Sequence, residues 1–265
     1  MNYTDVKYEV SENIATVTIE REHRLNAFRG RTIEELLHAF RAAWADDEVL
    51  AVIFTGAGQK AFCVGGDQKE FTETGSYGTS ANGRWEIEDL HLVIRSITKP
   101  VIAAVNGFAI GGGNVLAAVC DFAIASEHAK FGQVGPRVGS FDAGWGTHLA
   151  RLIGERRAKE MWFFCKQYDA VEVERWGLVN RVVPQLRLAE EARAAARELT
   201  ALSPTALKFL KCAFNLQTGG LAAQALFADA GLQLYLQSEE CKEGREAFAE
   251  KRQPNFAKRV QDGQR

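Results

Sequence analysis

In KPVIAAVNGFAIGGGNVLAAVCDFAIAS (residues 99–126), an otherwise apolar segment carries Gly107 and then Gly111, Gly112 and Gly113 in succession. A glycine inside an ordered element costs about 0.5–1 kcal/mol relative to alanine, so three together need a physical reason. A membrane-spanning helix, with Gly107 and Gly111 as a GxxxG pair, is one reading. Pro100, Asn106 and Asn114 interrupt the run, and adjacent glycines weaken any spanning helix. A buried strand, a turn and the start of a helix fit the stretch better.

Outward from this segment, IATVTI (14–19) alternates with β-rich chemistry, and AVIFTG (51–56), VIAAV (101–105) and FAIAS (122–126) are short apolar runs. All four predict buried strands. RTIEELLHAFRAAWA (31–45) and RWEIEDLHLVIRSI (84–97) have the three- and four-residue spacing of amphipathic helices. Strands separated by such helices predict a layered α/β fold with largely parallel strands. From about residue 143 the chain changes character. WGTHLARLIG, RRAKEMWFFCK, LAEEARAAARELTALS and SPTALKFLKCAFNL read as successive helices, and Ala222 to Lys251 holds one or two more. The predicted organisation is an α/β core over 1–190 and a helical region over 191–265, of the kind that commonly makes subunit contacts.

Composition narrows the partners. The 265 residues are 46% hydrophobic and 25% charged, enough for a sizeable core. The 32 basic and 34 acidic residues nearly cancel, and no basic stripe interleaved with aromatics is present, which argues against nucleic acid. The polar N-terminus, MNYTDVKYEVSENIATVTI, has no signal-peptide core, so a cytoplasmic location is expected and a membrane location is not. Cys63, Cys120, Cys165, Cys212 and Cys241 are odd in number and form no CxxC pair. They are expected to be reduced thiols, with neither disulfides nor a metal site.

Two glycine clusters, TGAGQKAFCVGGDQ (55–68) and NGFAIGGGNV (106–115), each follow a predicted strand. A strand, a glycine turn and a helix start aim backbone N–H groups at a ligand, aided by the helix dipole. Two such turns side by side would give one oxygen two donors, an oxyanion hole, with glycine leaving the approach clear. GAGQKA (56–61) also fits a relaxed dinucleotide fingerprint, but CVGGD interrupts the helix that should follow. Glycines that merely permit close packing remain an alternative.

AFCVGGD (61–67) some forty residues before GFAIGGGN (107–114) resembles the enoyl-CoA hydratase/isomerase (crotonase) superfamily. NAF (26–28), KPVIAAV (99–105), CDFAIAS (120–126), FGQ (131–133) and GLVNRVV (177–183) fit the same family in register, over nearly the whole chain. The resemblance implies a layered ββα spiral core and a helical C-terminal region used in trimerisation, with trimers often paired as hexamers. It implies an oxyanion hole from Gly66 and Gly112 for the thioester carbonyl of an acyl-CoA. It places coenzyme A, as part of the substrate and with no tightly bound cofactor, along Arg24, Ala27, Val64 and Gly65. Asp67, Gln68 and Ile110 lie beside it, with Lys251 as a phosphate partner or simply a solvated lysine.

Hydratases of the family add water with two glutamates, at positions that here are Val115 and Gly135. Neither side chain can transfer a proton, so ordinary hydration is disfavoured. FGQVGPRVGSFDAGWGT (131–147), SPTAL (203–207) and EGREAFAEKRQPNF (243–256) are similar to two related enzymes. One is 2-ketocyclohexanecarboxyl-CoA hydrolase, which opens a ring. The other is 1,4-dihydroxy-2-naphthoyl-CoA synthase, which closes one by an intramolecular Claisen condensation. Both pass through a carbanion beside a thioester, and the balance of motifs favours the hydrolase. Ser140 and Asp142 could straddle one ligand, with the carboxylate as proton acceptor, or form a turn before the next helix. The resemblance assigns both to the acyl group, and it matches Tyr235 to a tyrosine entering from the C-terminal region. Read without it, Tyr235 is a half-buried helix aromatic. In the synthase reading Gln133, Gly135 and Trp162 would line a bicarbonate pocket, although Val134 replaces a threonine there. QKEFTETGSYGTS (68–80) reads as a flap over the acyl group, closed by Tyr77. A non-catalytic member of the fold and a serine hydrolase are the remaining classes. For the latter, VGSFD lacks GxSxG and no histidine shows an evident partner.

Overall fold

Alternation along the strands sets the layers. The computed structural model describes residues 1–141 and 145–256. β1 (Val6–Ser11) and β2 (Ile14–Ile19) form an antiparallel hairpin. Its two turn residues, Glu12 and Asn13, have φ of 55° and 61°, the left-handed pair that a two-residue hairpin turn requires. β3 (Ala51–Gly56), β5 (Val101–Val105), β7 (Phe122–Ser126) and β10 (Arg181–Val183) continue the sheet in parallel, in the order β1-β2-β3-β5-β7-β10. Val52 and Phe54 of β3 face the main core with Ala103 and Val105 of β5. Ala51 and Ile53 face the other side, where Ile102, Ala104 and Ile124 meet Leu188, Ala192 and Ala196 of a helix at Leu188–Thr200. Both faces are therefore buried, as expected for a parallel sheet flanked by helices.

A smaller sheet holds β4 (Ala61–Cys63), β6 (Phe108–Ile110) and β8 (Lys130–Gly132) in parallel, with β9 (Gln167–Asp169) antiparallel at its edge. The chain passes repeatedly from the large sheet to the small one: β3 to β4, β5 to β6, and β7 to β8. Helices intervene, so the ββα unit winds into a spiral. α1 (Gly30–Ala45) leads into β3, and α2 (Gln68–Thr74) and α3 (Ile87–Ser96) lead into β5. α4 (Gly112–Ala118) leads into β7, and α5 (Gly135–Val138) follows β8. At the corners Asn26 Nδ2 donates to the carbonyls of Ala57 and Ala61, and Asn106 Nδ2 donates to those of Gly56 and Gly58. Asn106 thus ties the bend between β5 and β6. Gly107 permits that bend, because a Cβ there would sit 2.1 Å from the Lys60 carbonyl oxygen.

α6 (Gly146–Ile153), α7 (Glu155–Phe164), α8 (Ala170–Trp176) and α9 (Leu188–Thr200) complete the first compact unit, Met1–Leu207. The boundary expected at residue 190 falls near the start of α9, which packs on the outer face of the large sheet, and the first compact unit runs on to Leu207. The second unit, from Lys208, contains most of α10 (Pro204–Tyr235) and all of α11 (Glu239–Ala249). α10 breaks at Gly220, whose φ of 54° and ψ of −142° interrupt the helical ladder, and Phe209 meets Phe227 edge-on across the break at 5.7 Å. All five cysteines are free thiols. No helix among the described residues is long and apolar enough to cross a membrane.

Candidate active site

Three glycine-containing turns leave the carboxyl ends of three neighbouring parallel strands. β4 runs into Val64, Gly65 and Gly66, β6 into Gly111 and Gly112, and β8 into Gln133, Val134 and Gly135. Strand order in the small sheet therefore converts separation in sequence into adjacency. Gly65 (φ 86°) and Gly111 (φ 58°, ψ −124°) hold conformations that side chains disfavour. A Cβ on Gly65 would lie 3.2 Å from the Gly112 amide nitrogen, which measures how closely the first two turns approach.

The two amides in question are kept available by the backbone pattern. A bridge to Phe28 uses the Gly65 carbonyl and the Asp67 N–H, at 2.8 and 2.9 Å, and leaves the Gly66 N–H on the other side of the chain. Gly112 is the first residue of α4, where N–H groups have no intrahelical acceptor. Both glycines line one cavity of about 430 Å³. A Cβ on Gly112 would meet the Phe28 ring at 2.6 Å, and one on Gly66 the Tyr77 ring at 2.7 Å. The arrangement can present two N–H groups to one carbonyl oxygen.

The predicted residues divide. Val64, Gly65, Gln68, Gly135 and Ser140 line the same cavity as Gly66 and Gly112. Val115 does so too, so both positions that the resemblance matches to hydratase glutamates line this cavity. Ser140 is placed by its N–H bond to the Gly135 carbonyl, at 2.8 Å. Asp142 lies outside the described residues. Gln68 Nε2 bonds the Tyr77 hydroxyl at 2.7 Å, and Tyr77 stacks on Trp85 at 5.2 Å, which draws the flap segment over the cavity. Tyr235 ends α10 and Lys251 follows α11, both in the second unit.

Asp67, grouped with the coenzyme A residues, is turned away from the cavity. Its carboxylate caps α2 by accepting from the Lys69 and Glu70 amides and pairs with Arg21 at 3.0 Å. Arg24 sits 3.8 Å from the same carboxylate, and Ala27 and Ile110 are buried. Burial opposes ionisation of Asp67, but the Glu70 amide and the Arg21 guanidinium outweigh it and hold the carboxyl below its usual range. Arg21 also reaches Asp5 at 3.4 Å and donates to the Ala27 carbonyl. This network fixes the loop along which coenzyme A was expected.

Gln133 and Trp162 border a different space, a void of about 10 Å³ shared with Asn114 and His148. Both amide atoms of Gln133, Trp162 Nε1 and Asn114 Oδ1 find no partner among the described residues. The donor set would suit an oxygen ligand, but such a volume holds at most about one water molecule. Gly135 opens to the larger cavity instead, with Val115 and Trp145 lining both spaces. Burial and the nearby Arg95 push His148 down to about 4, which keeps it neutral. Burial pushes the Cys63 thiol up to about 12, so this core cysteine is no nucleophile.

Three residues of the cavity wall carry chemistry that spacing alone did not single out: Glu88 and His91 of α3, and Trp145. Glu88 Oε2 accepts from Trp145 Nε1 at 2.7 Å and faces His91 Nδ1 at 3.4 Å. The hydrogen bond with His91, assisted by Trp145, holds the Glu88 carboxyl below its usual range despite partial burial. The available signal was a histidine on the apolar face of an amphipathic helix, three residues after a glutamate. No hydrogen bond joins Ser140 to His91 among the described residues, so a serine triad is not assembled. Nor does GAGQKA form a dinucleotide turn, since Gly56 ends one strand and β4 follows where a helix would be needed.

The ββα spiral and its paired glycine turns define a crotonase-type enzyme acting on acyl-CoA. The chain belongs to the enoyl-CoA hydratase/isomerase family, whose model matches residues 9–259. It is similar to the enoyl-CoA hydratase of Bacillus anthracis at 30% identity and a TM-score of 0.76, over 96% of this chain and 99% of that one. The enoyl-CoA hydratase of Mycobacterium smegmatis is 30% identical with a TM-score of 0.73, over 96% of this chain and 100% of that one. A carnitinyl-CoA hydratase from Mycobacterium avium is 32% identical with a TM-score of 0.72, over 96% and 98%.

Proposed function

We propose that the protein opens the ring of a cyclic β-ketoacyl-CoA by adding water, as 2-ketocyclohexanecarboxyl-CoA hydrolase does. The observation that carries this reading is the pairing of an intact two-glycine cradle with Val115 and Gly135 in the cavity wall. The cradle suits a thioester enolate, and hydration has lost both of its proton-transfer groups.

In this mechanism Asp142 takes a proton from water as the water oxygen bonds to the ring ketone carbon. The adduct collapses to a carboxyl group, and the bond from that carbon to the α-carbon breaks. The electron pair passes through the α-carbon to the thioester oxygen, where the N–H groups of Gly66 and Gly112 meet the developing charge. Each such donor supplies about 2.7–4 kcal/mol to a transition state of this kind. Protonation at the α-carbon releases an open-chain dicarboxylic acyl-CoA. Ser140 and Tyr235 would orient the ketone oxygen. The bulk of coenzyme A would lie outside the cavity, along Arg24, Ala27 and the Val64–Gly65 turn, with Lys251 at a phosphate. A homotrimer or a pair of trimers is the expected assembly.

Incubation with 2-ketocyclohexanecarboxyl-CoA, followed by mass spectrometry, tests the reading. Pimeloyl-CoA, the substrate plus one water, is the expected product, and Asp142→Asn should abolish its formation in a folded protein. Unchanged substrate beside an active control enzyme overturns ring opening. It would favour the ring-closing alternative, tested with o-succinylbenzoyl-CoA, for which SFDAGWG and the KRQPNF tail are the supporting stretches.

A further inference from the structure

One wall of the cavity has polar chemistry that a hydrocarbon acyl chain would not use. Glu88 and His91 stand three residues apart on α3, facing the cavity beside Ile87. Val115, Val134 and Val138 elsewhere in the lining offer nothing polar from their side chains. His91 is 3% exposed, and its Nε2 has no hydrogen-bond partner among the described residues. Trp145 packs edge-on against the imidazole, with ring centroids 5.0 Å apart, while donating its indole N–H to Glu88. With Glu88 ionised, the His91 proton belongs on Nδ1, facing the carboxylate at 3.4 Å. That tautomer leaves the Nε2 lone pair as a buried acceptor awaiting a donor. Buried polar atoms without partners are rare in folded proteins and call for an explanation of this kind.

We propose that the Glu88–His91 pair selects acyl-CoA molecules bearing a hydroxyl or hydrated ketone on the acyl group beyond the thioester, with His91 Nε2 accepting that O–H. Glu88 is the positioning residue, which fixes the tautomer without touching the ligand. The inference rests on an acyl group occupying this cavity. It extends the ring-opening reading, because the adduct of water and a ring ketone carries such hydroxyl groups. An acidic function at the same place is disfavoured, since Glu88 already supplies negative charge.

The test compares binding of 2-hydroxycyclohexanecarboxyl-CoA and cyclohexanecarboxyl-CoA by calorimetry. Neither has a ring ketone, so neither can be cleaved, and affinity is read without turnover. The native protein should prefer the hydroxylated ligand by about tenfold or more, because a site built for a hydroxyl leaves its own polar group unpaired when the hydroxyl is missing. His91→Phe should bring the ratio to about unity, partly by improving binding of the hydrocarbon ligand, which general damage to the fold would not do. His91→Gln, which keeps an acceptor, should retain part of the preference. Glu88→Gln should weaken it, and 15N imidazole spectra of that variant should show the Nδ1–H tautomer losing its dominance. Equal affinities in the native protein overturn the proposal, as does an unchanged ratio in a folded His91→Phe variant. Failure to form pimeloyl-CoA would leave this binding result intact, so the two readings fall separately.

Discussion

At the scale of single residues, glycines that look alike in sequence answer to different neighbours. A Cβ at position 113 would lie 1.9 Å from the Cys63 carbonyl oxygen and 2.5 Å from its carbon, which is strand backbone. A Cβ at position 66 would meet the edge of the Tyr77 ring, a side chain that can rotate away. Gly113→Ala should therefore lower the melting transition, with a loss of at least about 1–3 kcal/mol from overpacking. Gly66→Ala should melt near the native temperature yet lose turnover by about 10²–10³, the scale of one missing oxyanion donor. Thermal denaturation beside an activity assay separates them, and a normally active Gly66→Ala protein would remove Gly66 from the site. The run of three glycines thus meets three different surroundings: Gly111 forms the turn, Gly112 lines the cavity and Gly113 packs on β4. Sequence showed that glycine was required there but not this division, which depends on how closely β4 and β6 pass. Glu88 and His91 were illegible for a related reason: their spacing is ordinary on an amphipathic helix, and only the placement of α3 against the glycine turns gives it meaning.

At the scale of elements, the loops around the cavity are held from beneath by buried charge. Arg21, Asp5 and Asp67 are 4%, 4% and 3% exposed, and Arg29 reaches Asp5 at 2.8 Å. Removing one partner of such a network strands the others, so Arg21→Met should cost about 3–5 kcal/mol in denaturant titrations. The pH dependence has a definite sign. Burial alone would raise both carboxyls, but Arg29 and Thr32 on Asp5, and the Glu70 amide and Arg21 on Asp67, lower them beneath the ordinary 3.8. A depressed carboxyl contributes stability that is complete above its unfolded value and is lost as pH falls through the folded value. Acid unfolding, followed by circular dichroism, should therefore involve these two groups below pH 3.8, and in Arg21→Met it should begin at higher pH. An unchanged acid limb would show that the guanidinium does not govern Asp67. The elements themselves were legible where they are long. The strands at 14–19, 51–56, 101–105 and 122–126 match β2, β3, β5 and β7, and 31–45 lies within α1. The three-residue strands of the small sheet were not, because β4, β6, β8 and β9 are too short to display a period and exist through their neighbours. Since those strands carry the cavity's glycine turns, the family was readable from motifs while the geometry of the turns was not.

At the scale of the whole molecule, the two compact units differ in what they bury. The first encloses Phe40, Phe54, Phe62 and Phe131 together with many isoleucines and leucines, all at 2% exposure or less. In the second, the apolar residues buried among those described are Cys212, Ala223, Ala230, Cys241 and Ala247, all small. Its large side chains are outside: Phe214 is 80% exposed, Leu221 83% and Phe248 87%. Large apolar groups are ordinarily the first to leave water, since burying one contributes about 1.5–3 kcal/mol. A helical segment that buries its alanines and exposes its phenylalanines presents apolar surface that a second copy of the chain would cover. Light scattering coupled to size exclusion should give three or six times the mass of one chain. Leu221→Glu combined with Phe248→Glu should reduce it to one, because a charge in a closed apolar interface has no partner and keeps its hydration only when the subunits separate. The dissociated variant should also be less stable, and its melting temperature should no longer rise with concentration. A native mass of one chain would mean that the exposed side chains need a different partner. An assembled double mutant would move the interface away from α10 and α11, although both helices present the apolar groups that an interface requires.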